Sequence, residues 1–195
     1  MKPVLLAVLL AAATAVKAAE PPMKKHAHAP APAVAALLRF QAPAGWRRGD
    51  YANSGGADPV VEFEKGADRI AVYVYGAPCS SYKTPEDFMT GPAATTMGRA
   101  PDRAGSALVA GRNVALYRRR YPLADGDPHA ASSAPPRFGS AIYCVLPAAA
   151  DGRFAVLTYS RESPIPDTEE RGEKAWESFL KTVKPSGPNT AGPKP

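Results

Sequence analysis

The chain has 195 residues, of which 45% are hydrophobic, and a formal net charge of +6 at pH 7. This length suits one domain with shorter flanking segments. Five of the 24 Lys and Arg residues and one of the 18 Asp and Glu residues lie outside residues 37–184, so 19 basic and 17 acidic residues remain inside. A central segment this close to neutrality excludes a nucleic-acid-binding surface driven by phosphate contacts.

The first 18 residues have the pattern of a secretory signal peptide. Lys2 is followed by an apolar run over residues 4–16, and Val16 and Ala18 are small residues suited to cleavage after position 18. The run is shorter than the roughly 20 residues that a membrane-spanning helix needs. We therefore expect a periplasmic or secreted protein with no transmembrane segment after signal removal.

Two proline-rich segments flank the predicted domain. Residues 19–36 are rich in Pro and Ala, and residues 185–195 contain four prolines. Neither segment has enough apolar residues to offset the entropy lost on ordering. The sequence predicts a disordered linker over 19–36, one folded domain over 37–184 and a disordered tail over 185–195.

Strand patterns recur along the domain from residue 60 to residue 159. Three hairpins are predicted, over residues 60–65 with 69–75, 107–109 with 114–121, and 138–146 with 154–159. In the first strand Glu62 and Glu64 alternate with apolar residues, which predicts both carboxylates on a solvent-exposed face. This exposure argues against a glycosidase-like carboxylate pair, which needs a buried general acid.

Two helices are predicted. Thr84 is a suitable N-cap before Pro85, and Gly91 and Pro92 end that helix early. Residues 168–183 place Trp176, Phe179, Leu180 and Val183 on one face of a second helix. With no alternation of strands and helices, the predicted fold class is α+β, an antiparallel sheet with packed helices.

The layout of these elements resembles the PsbP-like family. The resemblance rests on residues 40–46 (FQAPAGW), the hairpin behind them, the helix start at residues 84–88 (TPEDF) and the closing helix around residues 176–179 (WESF). It implies an α/β/α sandwich and a non-catalytic binding or assembly role. No ligand residue of the family has a counterpart here.

Cys79 and Cys144 are the only two cysteines. In an oxidising compartment such a pair is usually bonded, so the sequence predicts a disulfide. It would close a loop of about 66 residues and stabilise the fold by roughly 4 kcal/mol. The alternative is two buried, unpaired thiols.

The densest charge lies on one predicted strand, where Arg118, Arg119 and Arg120 stand between Tyr117 and Tyr121. Alternation places Arg118 and Arg120 on one face, and Arg119 with both tyrosines on the other. Guanidinium groups beside aromatic rings can bind phosphate or carboxylate groups. The alternative is that consecutive arginines protect an edge strand from aggregation.

Residues with catalytic or metal-binding chemistry are few. His129 follows Pro128 in a proline-rich loop, with no serine motif to accompany it. His26 and His28 could chelate a metal only weakly, because two ligands do not complete a site. No cofactor motif is present, so the sequence predicts neither a cofactor nor a metal.

These observations together predict an exported, non-catalytic binding or accessory protein of the cell envelope. Its partner is expected to be an exported protein or an acidic envelope component, contacted through Arg118, Arg119, Arg120, Tyr117 and Tyr121. The alternative function is a secreted hydrolase that uses His129.

Overall fold

The computed structural model describes residues 31–53, 57–96, 98–122, 138–161 and 169–186. The predicted signal peptide, residues 19–30 of the predicted linker, both tail histidines, His129 and residues 187–195 lie outside these ranges. Predictions about them therefore remain predictions.

An antiparallel sheet of seven strands dominates the described residues. The strand order is β2-β3-β4-β8-β7-β6-β5. The strands are β2 (Arg47–Asn53), β3 (Asp58–Lys65), β4 (Asp68–Tyr75), β5 (Asp102–Val109), β6 (Arg112–Pro122), β7 (Phe138–Val145) and β8 (Phe154–Arg161). The three predicted hairpins are confirmed as the pairs β3–β4, β5–β6 and β7–β8.

Three helices and a small two-stranded sheet complete the described fold. They are α1 (Ala31–Leu37), α2 (Pro85–Thr90) and α3 (Glu169–Thr182), with β1 (Leu38–Arg39) paired to β9 (Lys184–Pro185). Both predicted helices are confirmed. Thr84 caps α2, since its hydroxyl oxygen accepts a hydrogen bond from the Asp87 amide at 3.1 Å. No described helix is both long enough and apolar enough to cross a membrane.

Helix α1 corrects the predicted linker boundary. Residues 31–36 belong to the predicted disordered linker, yet they are helical, and Val34 is only 1% exposed. Val34 packs with Leu38 into the same core as α3. The apolar side chains that order this segment are too few to stand out in an alanine- and proline-rich sequence.

The main core lies between the sheet and helices α1 and α3, on a surface that we call the helix face. Strand residues such as Val61, Phe63 and Leu157 meet Trp176 and Phe179 from α3 there, all of them 2% exposed or less. The opposite surface of the sheet, which includes Tyr75, Tyr143 and Val156, is called the open face below.

The predicted fold class is wrong, because strands dominate this structure. Helix α2 has six residues, since Gly91 and Pro92 follow it at once, and its one buried residue is Phe88. Phe88 covers the open face only around Tyr75 and Tyr143. One six-residue helix cannot form a layer over seven strands, so the described residues do not form an α/β/α sandwich.

The predicted disulfide is also wrong. Cys79 and Cys144 are both free. Cys144 lies in the core of the helix face, whereas Cys79 is exposed in the loop after β4. Burial raises the pKa of the Cys144 thiol to about 12. Cys144 therefore behaves as a small apolar core residue, as the alternative of two buried thiols predicted. Cys79 does not fit that alternative, because it is exposed.

Candidate functional site

Strand register aligns polar residues in one row across the open face. The row runs from Arg119 in β6 through Ala141, Ser160, Arg69 and Glu64 to Arg47 in β2, each directly opposite the next. Directly opposite residues on neighbouring strands have Cβ atoms about 5 Å apart. Six strands thus bring three guanidinium groups, one carboxylate and one hydroxyl onto one line.

A cavity of about 330 Å³ opens on this row. Its polar walls come from Arg69, Arg119, Thr158 and Ser160, and its aromatic walls come from Tyr73, Tyr75, Phe88 and Tyr121. A concave site with aromatic walls and a few convergent polar groups is the usual form of a small-molecule site. We call it the open-face pocket.

The guanidinium of Arg119 contacts an aromatic ring and a backbone carbonyl. Its guanidinium carbon lies 4.9 Å from the centre of the Tyr121 ring, and one Nη donates a long hydrogen bond of 3.5 Å to the Pro92 carbonyl. No acidic residue pairs with Arg119 among the described residues. A guanidinium held by a ring and a carbonyl keeps donors available for an anion.

The two neighbouring arginines point to the helix face, as the alternation predicted. Arg118 lies 3.6 Å from a carboxylate oxygen of Glu173 in α3. Arg120 is exposed, and its backbone N–H donates to the Thr96 hydroxyl at 2.9 Å. Arg118 and Arg120 therefore do not reach the open-face pocket.

The two tyrosines of the predicted patch have different surroundings. Tyr121 lines the open-face pocket, whereas Tyr117 stacks on Tyr143 with ring centres 5.7 Å apart, in the aromatic cluster beside α2. The structure therefore brings Arg119 and Tyr121 together and separates them from the other three residues of the patch.

The strand that carries the three arginines, β6, is not the edge strand of the sheet. The edge strand beside β6 is β5, whose pairing with β6 reaches Arg118 opposite Asp102. The last residues of β6 extend beyond that pairing, and Thr96 accepts the Arg120 N–H there. The exposed side chain of Arg120 suits protection of this short open edge.

Sequence reasoning missed Glu62, which it placed on a solvent-exposed face. Glu62 is 3% exposed. The Tyr51 hydroxyl donates a 2.7 Å hydrogen bond to Glu62 Oε2, and Arg69 Nε lies 3.3 Å from the same oxygen. The alternation pattern is correct, but side chains from both neighbouring strands cover this carboxylate.

Glu64, two residues further along β3, is partly buried and lies between two cations. Arg47 donates to Glu64 Oε2, and Arg69 Nη2 lies 3.5 Å from Oε1. Arg47 lowers the pKa of Glu64, whereas burial raises the pKa of Glu62 above the usual value. Two carboxyl groups on one strand therefore have opposite tendencies to hold a proton.

No protein-family model and no curated protein matches this chain. The PsbP-like resemblance therefore stays a prediction. Among the described residues, no group of three or more His, Cys, Asp or Glu side chains is placed to hold a metal ion.

Proposed function

We propose that this chain is an exported, non-catalytic binding protein of the cell envelope, and that it takes an anionic group in the open-face pocket. The observation that carries the proposal is the placement of Arg119, a cation without an acidic partner in the described residues, in an aromatic-walled cavity of about 330 Å³. Export is supported by the sequence of residues 1–18.

The balance of charged side chains in and around the pocket favours a ligand with one negative charge. Arg69 also lines the pocket, but its charge is already opposed by Glu62 and Glu64. Arg119 alone contributes an uncompensated charge from the described lining. A charge-assisted hydrogen bond in such a site contributes about 1.5–3 kcal/mol.

The walls favour a flat group beside the anion. Tyr73, Tyr121 and Phe88 contribute aromatic groups to the lining, and Thr158 and Ser160 contribute hydroxyl-bearing side chains. The volume is near the lower end of the roughly 300–1,000 Å³ typical of ligand sites. A ring bearing one carboxylate, sulfonate or phosphate-like group fits these walls, either as a free compound or as part of an acidic envelope component.

The proposal is tested with two ring compounds that differ in charge, benzenesulfonate and neutral benzamide, by saturation-transfer NMR. Benzenesulfonate is expected to bind the native chain more tightly than benzamide. Arg119→Gln should weaken benzenesulfonate binding by about tenfold or more, since it removes a charged donor.

Arg120→Gln is the matched control, because it removes the same charge from the adjacent position on the opposite face of β6. Equal weakening by both variants would show a general charge effect. That result, or equal binding of the two compounds, would refute the proposed site.

A further inference from the structure

Arg69 connects the open-face pocket to the two glutamates. Its side chain lines the cavity, and it lies 3.3 Å from Glu62 and 3.5 Å from Glu64 through different nitrogens. The Arg69 side chain is 42% exposed, whereas that of Glu62 is only 4% exposed. The arginine of this ion pair thus lines the cavity and is partly exposed, whereas the carboxylate is closed to solvent.

The charged and titratable groups around Glu62 come from three strands. They are Arg47 and Tyr51 from β2, Glu64 from β3, and Arg69 and Tyr73 from β4. With both glutamates ionised, the two arginines and two carboxylates balance. An anion that took Arg69 as its partner would leave the buried Glu62 carboxylate without this cation.

We propose that anion binding in the open-face pocket is coupled to uptake of one proton by Glu62, with the ligand replacing the Glu62 carboxylate as the partner of Arg69. This inference rests on the proposed function. The step takes one proton from solvent, forms one O–H bond on Glu62 and breaks no covalent bond.

The surroundings of the two carboxyl groups favour protonation of Glu62 over protonation of Glu64. Glu62 is desolvated, and burial is the largest influence that raises its pKa. Glu64 is paired with Arg47, which favours its ionised form. When Arg69 turns to the ligand, Glu62 loses a cation that had stabilised its charge, so its affinity for a proton rises further.

The coupling predicts affinity that depends on pH with a defined sign. Benzenesulfonate is a suitable probe because it stays ionised across the range in which carboxyl groups titrate. At pH values above the pKa of Glu62, the affinity of the protein for benzenesulfonate should increase as pH falls. The increase can reach about tenfold per pH unit, which is the largest change that uptake of one proton can cause. Calorimetry in two buffers of different ionisation enthalpy should show net proton uptake on binding.

Glu62→Gln tests the assignment, because it imitates the protonated acid and keeps an oxygen for the Tyr51 hydroxyl. This variant should bind benzenesulfonate at high pH as tightly as the native chain does at low pH, with no proton uptake. Glu177→Gln, on the exposed surface of α3, is the control and should keep the native pH dependence.

The possible outcomes separate this inference from the proposed function. Binding that needs Arg119 but has no pH dependence, or has the same dependence in Glu62→Gln, overturns the proton coupling and leaves the site intact. Absence of binding at every pH overturns both.

Discussion

The ring of Tyr121 occupies the space that a side chain would need at Gly139, its direct partner on β7. A Cβ at Gly139 would lie 2.5 Å from Cζ of that ring. The missing side chain lets the ring lie close to the sheet, where it supports the Arg119 guanidinium. Gly139 is therefore a positioning residue of the open-face pocket.

Gly139→Ala is expected to displace the Tyr121 ring and weaken benzenesulfonate binding several-fold. The overcrowding should also lower the free energy of unfolding by about 1–3 kcal/mol. Urea unfolding and NMR titration measure the two effects. Gly49→Ala in β2 is the control, because nothing lies within 4 Å of its added Cβ, and it should leave both quantities nearly unchanged. Native binding by Gly139→Ala would contradict this role.

Gly172→Ala tests the contact between α3 and the sheet. Alanine is favoured over glycine by about 1 kcal/mol in an unconstrained helix. At position 172, however, the added Cβ would meet the Tyr159 hydroxyl and lie 2.7 Å from an Asp68 carboxylate oxygen, two groups that are hydrogen-bonded to each other. We expect the variant to be less stable than the native chain in urea unfolding, and a gain in stability would show that α3 lies further from the sheet.

Thiol labelling tests whether Cys79 and Cys144 are free. Cys79 is exposed, while Cys144 is buried and its pKa is raised to about 12, so it has almost no thiolate at neutral pH. A maleimide reagent should modify one thiol in the folded chain and two after denaturation. Cys79→Ser should abolish labelling of the folded state. Two protected cysteines in denaturant without reductant would instead indicate a disulfide.

The stability of the free protein should depend on the ionisation of Glu62. Burial raises its pKa above the ordinary value of 4.5, so its contribution is complete below that pH and is lost as pH rises through the folded-state pKa. The slope can reach roughly 1.4 kcal/mol per pH unit. Glu64 acts in the opposite direction, because its lowered pKa gives stability that is lost only below pH 4.5.

Urea unfolding between pH 5 and 8 measures this dependence, with Glu62→Gln for comparison. The variant should lose the part of the slope that is due to Glu62. Parallel curves for the two proteins would mean that this carboxyl group does not titrate differently on folding.

The sequence predicted local pairing well because hairpins and alternation are local properties. The two-residue turn at Gly66 and Ala67 places Arg69 opposite Glu64, which hairpin geometry alone could have indicated. The cover over Glu62 was not predictable in this way, because Tyr51 comes from β2 and local patterns do not show that β2 pairs with β3. The predicted fold class is wrong because α2, with only six residues, cannot cover the open face of a seven-stranded sheet.

NMR of the arginine side chains tests most directly whether Arg119 binds an anion in the open-face pocket. During titration with benzenesulfonate, the Nε–H signals of Arg119 and Arg69 should shift and saturate together, while those of Arg118 and Arg120 stay in place. Shifts of equal size at all four arginines, or none at Arg119, would contradict the claim.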